Sequence, residues 1–125
     1  MELGKTKFTE GFLSFFNLQD EISSPTFNII NEYSTPSISI YHFDVYRLND
    51  INEFYEIGGE EYFEKGICLI EWGNLILDAI PQEHLELTLA KDSQNENIRT
   101  LQFKAIGKKY EKILDNLKED LAWKY

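Results

Sequence analysis

The run Gly66-Ile67-Cys68-Leu69-Ile70-Glu71-Trp72 constrains the fold of this chain more than any other segment. Its apolar residues follow one another without polar alternation, the pattern of a strand buried on both faces of a sheet. Such a strand needs a covering layer on each side, which points to an α/β architecture. The run ends in a carboxylate, and burying a charge without a partner is costly. Glu71 therefore reads either as a partly exposed acid at a strand edge or as an acid kept for a site.

The rest of the chain supplies the layers. Phe8, Phe12, Leu13 and Phe16 recur at helical spacing, which predicts a helix over 6–16. A polar loop over 17–25 ends in Ser23-Ser24-Pro25, and strands are predicted over 27–33 and 37–43. The turn cluster Ser34-Thr35-Pro36 between them makes an antiparallel hairpin the simplest pairing. Asp50 is a good N-cap for a helix over 51–57 that Gly58-Gly59 ends. A shorter helical turn is predicted over 60–65, and a helix over 74–80 that Pro81 stops. Alternation of Leu85, Leu87 and Leu89, then of Leu101, Phe103 and Ala105, predicts a second hairpin around the polar turn 92–97. From Lys108 onward Tyr110, Ile113, Leu114, Leu117 and Leu121 form an amphipathic helix stripe. No repeat or linker interrupts the order, so residues 1–125 are expected to form one domain.

Composition narrows the function. With 42% hydrophobic and 14% aromatic residues, the 125-residue chain can bury a core. No apolar run reaches the roughly 18 residues of a membrane span, and no cationic leader is visible, so a soluble protein is expected. Cys68, the single cysteine, lies in the apolar run and reads as a buried thiol. One cysteine closes no internal disulfide, and a reducing cytoplasm is the expected compartment. The formal charge of −10 disfavours unassisted binding to nucleic acid, whose phosphates it repels. It does not exclude ATP, because local charge, backbone dipoles and Mg²⁺ govern that contact.

Three places carry residues suited to phosphate chemistry. Gly4-Lys5-Thr6 before the first helix matches the end of the phosphate-binding pattern G-x-x-x-x-G-K-[ST]. In that loop backbone N–H groups cradle phosphates, the lysine reaches their oxygens and the hydroxyl binds Mg²⁺. Only three residues precede Gly4, so the match is partial, and a surface triplet is the competing reading. Asp44 follows a predicted strand in Tyr41-His42-Phe43-Asp44-Val45-Tyr46-Arg47-Leu48. There it can orient an attacking water, or it can pair with Arg47 or cap a turn. Ser24-Pro25-Thr26 is either a hydroxyl-bearing switch segment or a turn. Trp72 belongs to the core, to the site or to a partner surface. His42 and His84 lack a cysteine or second histidine at ligand spacing, which speaks against zinc.

Taken together, Lys5-Thr6, Ser24-Pro25-Thr26-Phe27 with Asn31-Glu32-Tyr33, the segment Tyr41–Leu48 and Leu69-Ile70-Glu71-Trp72 resemble the TsaE family in order and spacing. These are P-loop ATPases of tRNA threonylcarbamoyladenosine biosynthesis. The resemblance runs from about Leu3 to Phe103. It implies a three-layer, P-loop NTPase-like α/β domain around a central mixed sheet. It implies ATP and Mg²⁺ as cofactors, with Gly4, Lys5, Thr6 and Arg99 at the nucleotide and Thr6 and Glu71 at the metal. Thr26 would belong to the switch, Asp44 would support catalysis, and Glu71 would follow a Walker B-type strand. TsaB and TsaD are the implied partners, and tRNA contact is expected to be indirect. The family pattern places a helix, a strand and further loop residues before the lysine, so the domain is expected to be N-terminally truncated. A module that docks on the same partners without nucleotide chemistry is the alternative. A metal-dependent phosphoesterase using Asp44 and Glu71 is a third reading.

Overall fold

The computed structural model describes Thr9, residues 11–14 and residues 29–124, with Arg99 and residues 120–124 described by their backbone. The chain divides into two compact units, one spanning Lys5–Ile80 and the other containing Pro81–Tyr125.

In the first unit, β1 (Ile30–Ser34) and β2 (Ser39–Asp44) form the expected antiparallel hairpin. Its turn lies slightly later than the Ser34–Pro36 cluster. Thr35 N–H donates to the Ile38 carbonyl at 2.8 Å, and the Thr35 hydroxyl oxygen accepts from Ile38 N–H at 3.0 Å. β3 (Ile67–Glu71) then pairs with β2 in parallel, giving a mixed sheet in the order β1-β2-β3. Gly66 precedes β3 because a Cβ there would strike the Ser39 carbonyl oxygen. The run expected to be buried on both faces is instead half-buried along its whole length. The reason is its position: β3 is the last strand in the order, paired on one side only among the described residues.

Pleating sends alternate side chains of this sheet to opposite faces. Tyr41 and Phe43 lie on one face, where they join buried Val45, Phe54 and Ile76. Phe43 is fully buried, with the rings of Phe54, Tyr62 and Phe63 at 5.8, 5.7 and 6.5 Å. Ile40 and Tyr33 lie on the other face and pack with Leu13 and Phe12 of the helical segment 11–14. The unit is therefore layered as helix, sheet and helix.

The crossover from β2 to β3 supplies the second helical layer. A 3-10 turn covers Val45–Arg47, and α1 (Ile51–Glu56) follows. Asp50 caps α1 as expected, accepting from Asn52 and Glu53 N–H, an arrangement that stabilises a helix by about 1 kcal/mol. Gly58, at φ 71°, ends it in the left-handed region that glycine enters without strain. A 3-10 turn then spans Gly59–Glu64. The helix expected over 74–80 is two 3-10 turns across Gly73–Ala79, broken at Ile76. Ile76 is 1% exposed, so core burial is met at the expense of helix continuity.

The second unit is the expected hairpin of β4 (His84–Lys91) and β5 (Arg99–Ile106), followed by α2 (Lys108–Lys124). Leu85, Leu87 and Leu89 face Ala105, Phe103 and Leu101 in register, as the alternation requires. Tyr110, Leu114 and Leu117 of α2 are half-buried, whereas Ile113 is exposed.

His84 at the start of β4 has both ring nitrogens engaged. Nδ1 lies 2.9 Å from the Pro81 carbonyl oxygen and Nε2 lies 2.9 Å from a Glu86 carboxylate oxygen. Both partners are acceptors, so only the imidazolium satisfies both. Burial works to lower the His84 pKa, but the bonds to Glu86 and Pro81 and the charge of Glu86 outweigh it and hold the value above 6.5. A raised histidine pKa stabilises the folded state below the unfolded value, and that contribution fades as pH rises through the folded value. His84→Asn is expected to flatten the loss of stability as pH rises above about 6.5, as followed by thermal melts across neutral pH.

Candidate functional site

β2 and β3 run parallel and end together, with Asp44 and Glu71 as register partners at their carboxyl ends. In open α/β sheets this end of the strands is where ligands bind, because helices cover the faces and loops diverge there. Two acidic side chains are thus brought side by side from positions far apart in the chain.

Asp44 is the last residue of β2 and also the N-cap of the turn Val45–Arg47. Its Oδ1 accepts from Tyr46 N–H at 3.2 Å. The turn-capping role is therefore real, and it orients the carboxylate while leaving Oδ2 outside that bond.

Glu71 is held from within the sheet. His42 Nε2 lies 2.6 Å from Glu71 Oε2, with the two side chains 17% and 20% exposed. A carboxylate can only accept, so the His42 ring carries a proton on Nε2. Pleating puts His42, Asp44 and Glu71 on one face of the sheet, because Asp44 is two residues beyond His42 and is the register partner of Glu71. Neither the lack of zinc-ligand spacing at His42 nor its place in the Tyr41–Leu48 segment announces this contact. The available signal was the alternation itself, which places His42 on the same face as Asp44.

Trp72, directly after Glu71, adopts φ 65°, the left-handed region that non-glycine residues rarely occupy. It turns the chain out of β3 at the site, and its ring lies 4.9 Å from that of Tyr46 while contacting the main core. Core packing is thus part of its role. Cys68, on the opposite face from Glu71, is half-buried rather than fully buried. Its Sγ donates to the Tyr62 carbonyl at 3.4 Å, and burial pushes the thiol up to about 11, so it stays protonated and unreactive.

Gly4, Lys5, Thr6 and Thr26 lie outside the described residues. Arg99 opens β5 in the second unit, opposite Lys91. Among the described residues there is no group of three or more His, Cys, Asp and Glu side chains that could enclose a metal ion. Two carboxylates without such a cage suit Mg²⁺ carried with phosphates, since that ion takes one or two carboxylates and completes its shell with water and phosphate oxygens.

Comparison with known proteins agrees with this architecture. The family model for "Threonylcarbamoyl adenosine biosynthesis protein TsaE" matches residues 1–101. The tRNA threonylcarbamoyladenosine biosynthesis protein TsaE of Bacillus subtilis is 40% identical over 115 residues, covering 91% of this chain and 70% of that protein. The TsaE of Treponema pallidum is 37% identical over 87 residues, covering 69% of this chain and 64% of its own length. The crystal structure of Bacillus YdiB superposes with a TM-score of 0.67 at 33% identity, covering 94% of this chain and 71% of that one. With the α/β layering and mixed sheet described above, these similarities show that the chain belongs to the TsaE family.

Proposed function

We propose that this protein binds and hydrolyses ATP with Mg²⁺ as a cytoplasmic accessory in tRNA threonylcarbamoyladenosine modification, acting with TsaB- and TsaD-type partners. The observation that supports this most is the register of Asp44 and Glu71 at the carboxyl ends of adjacent parallel strands. Glu71 keeps Oε1 for the cation while its Oε2 holds His42. Asp44, oriented by the Tyr46 N–H, presents Oδ2 to align an attacking water. Gly4, Lys5 and Thr6 supply phosphate and metal contacts in this reading, and Thr26 belongs to the switch segment. Magnesium bound there neutralises charge on the phosphates. The net charge of −10 fits action on tRNA through partner proteins rather than by direct grip.

The test is a titration of the folded chain with a fluorescent ATP analogue, with and without Mg²⁺, alongside Lys5→Ala. Saturable, Mg²⁺-dependent binding that Lys5→Ala weakens by about tenfold or more is expected, because a charged phosphate contact is lost. A folded chain that binds no nucleotide, yet associates with the partner proteins, would replace this reading with a docking module.

A further inference from the structure

We infer that His42 is a positioning residue for Glu71, setting the carboxylate for the cation before any nucleotide arrives; this rests on the function proposed above. His42 sits in the middle of β2, with Asn31 of β1 and Leu69 of β3 as its register partners. Its ring does not stop at Leu69. It reaches diagonally to Glu71, two residues nearer the carboxyl ends of the strands, and closes a 2.6 Å bond there. That distance is at the short end for a nitrogen donor on a carboxylate, as expected when the acceptor is charged.

The geometry fits orientation better than simple packing. An apolar residue would fill the same place beside its register partner Leu69 without presenting a donor. Glu71 is the last residue of its strand and is followed by a left-handed turn at Trp72, so its backbone alone does not hold the side chain. A free glutamate loses much rotamer freedom when a ligand fixes it. The His42 bond removes that freedom in advance by tying Oε2 to the central strand. Partners that hydrogen-bond a ligating carboxylate tune metal sites in this way, and their loss typically weakens metal affinity by about 10–100-fold.

The test is a double-mutant cycle on the full chain, reading the Mg²⁺ concentration that half-saturates the gain in affinity for a fluorescent ADP analogue. His42→Phe keeps ring bulk and removes the donor; Glu71→Gln keeps an acceptor for His42 and removes the charge. His42→Phe is expected to raise the half-saturating Mg²⁺ by about tenfold, with nucleotide affinity in EDTA unchanged. His42→Gln, whose amide nitrogen approximates the position of Nε2, is expected to recover most of the loss. The double variant is expected to match Glu71→Gln alone, because His42 acts through that carboxylate. An unaltered Mg²⁺ response in His42→Phe, or losses that add independently, would overturn the inference. A Glu71→Gln variant with normal Mg²⁺ dependence would overturn the metal role of Glu71 itself, and this inference with it. If His42→Phe does not fold, His42→Asn, too short to reach Glu71, runs the same cycle to the same criteria.

Discussion

Under the ATPase function proposed above, Glu71→Ala is expected to lower ATP turnover by about 100-fold, the scale of losing one preorganised charge-stabilising group, while the chain stays folded. The fold is expected to survive because Glu71 is at the end of β3, is 20% exposed on its side chain and belongs to neither apolar cluster. The His42 side chain that it abandons is 17% exposed, so its ring can turn to water. Asp44→Asn is the companion variant. Asparagine keeps an oxygen for the Tyr46 N–H and so keeps the cap, but carries no charge. Circular dichroism and steady-state hydrolysis assayed on the same preparations separate folding from chemistry. Wild-type turnover in both variants would remove the two carboxylates from the mechanism.

Phe43→Ala is expected to destabilise the fold by about 3–5 kcal/mol, the range for deleting a buried aromatic side chain. Phe43 is 0% exposed and lies where β2, α1 and the turn Gly59–Glu64 meet, in contact with Phe54, Tyr62 and Phe63. None of these neighbours can refill the space without leaving its own packing, so a cavity remains. Against a typical domain stability of about 5–15 kcal/mol, such a loss is a large share of the total. Urea unfolding followed by tryptophan fluorescence measures it. Leu77→Ala, at a side chain 54% exposed, sets the comparison and is expected to change stability by about 0.5 kcal/mol or less. A Phe43→Ala midpoint as little shifted as that of Leu77→Ala would mean that this cluster does not hold the unit together.

Much of the local structure was legible from neighbouring residues. Alternating leucines predicted the β4–β5 hairpin and its apolar face, because the two-residue period of a strand is a property of the backbone itself. Asp50 and Gly58 marked the ends of α1, since a cap and a left-handed turn involve only adjacent residues. Asp44 and Glu71 stood out as acids at strand ends for the same local reason. The interruption at Ile76 was not legible, because it reflects a demand of the core for one side chain rather than a helix-breaking residue.

The residue types, the strands and the acids at their ends were determined by the sequence alone. What only the tertiary structure decided was the parallel pairing of β2 with β3, and with it the meeting of His42, Asp44 and Glu71 on one face. His42 and Glu71 lie 29 residues apart. No local period links positions so distant; the register that joins them is set by burial of Tyr41 and Phe43 beneath the crossover and of Ile40 on the opposite face, and a slip of one residue would send every one of those side chains to the wrong side.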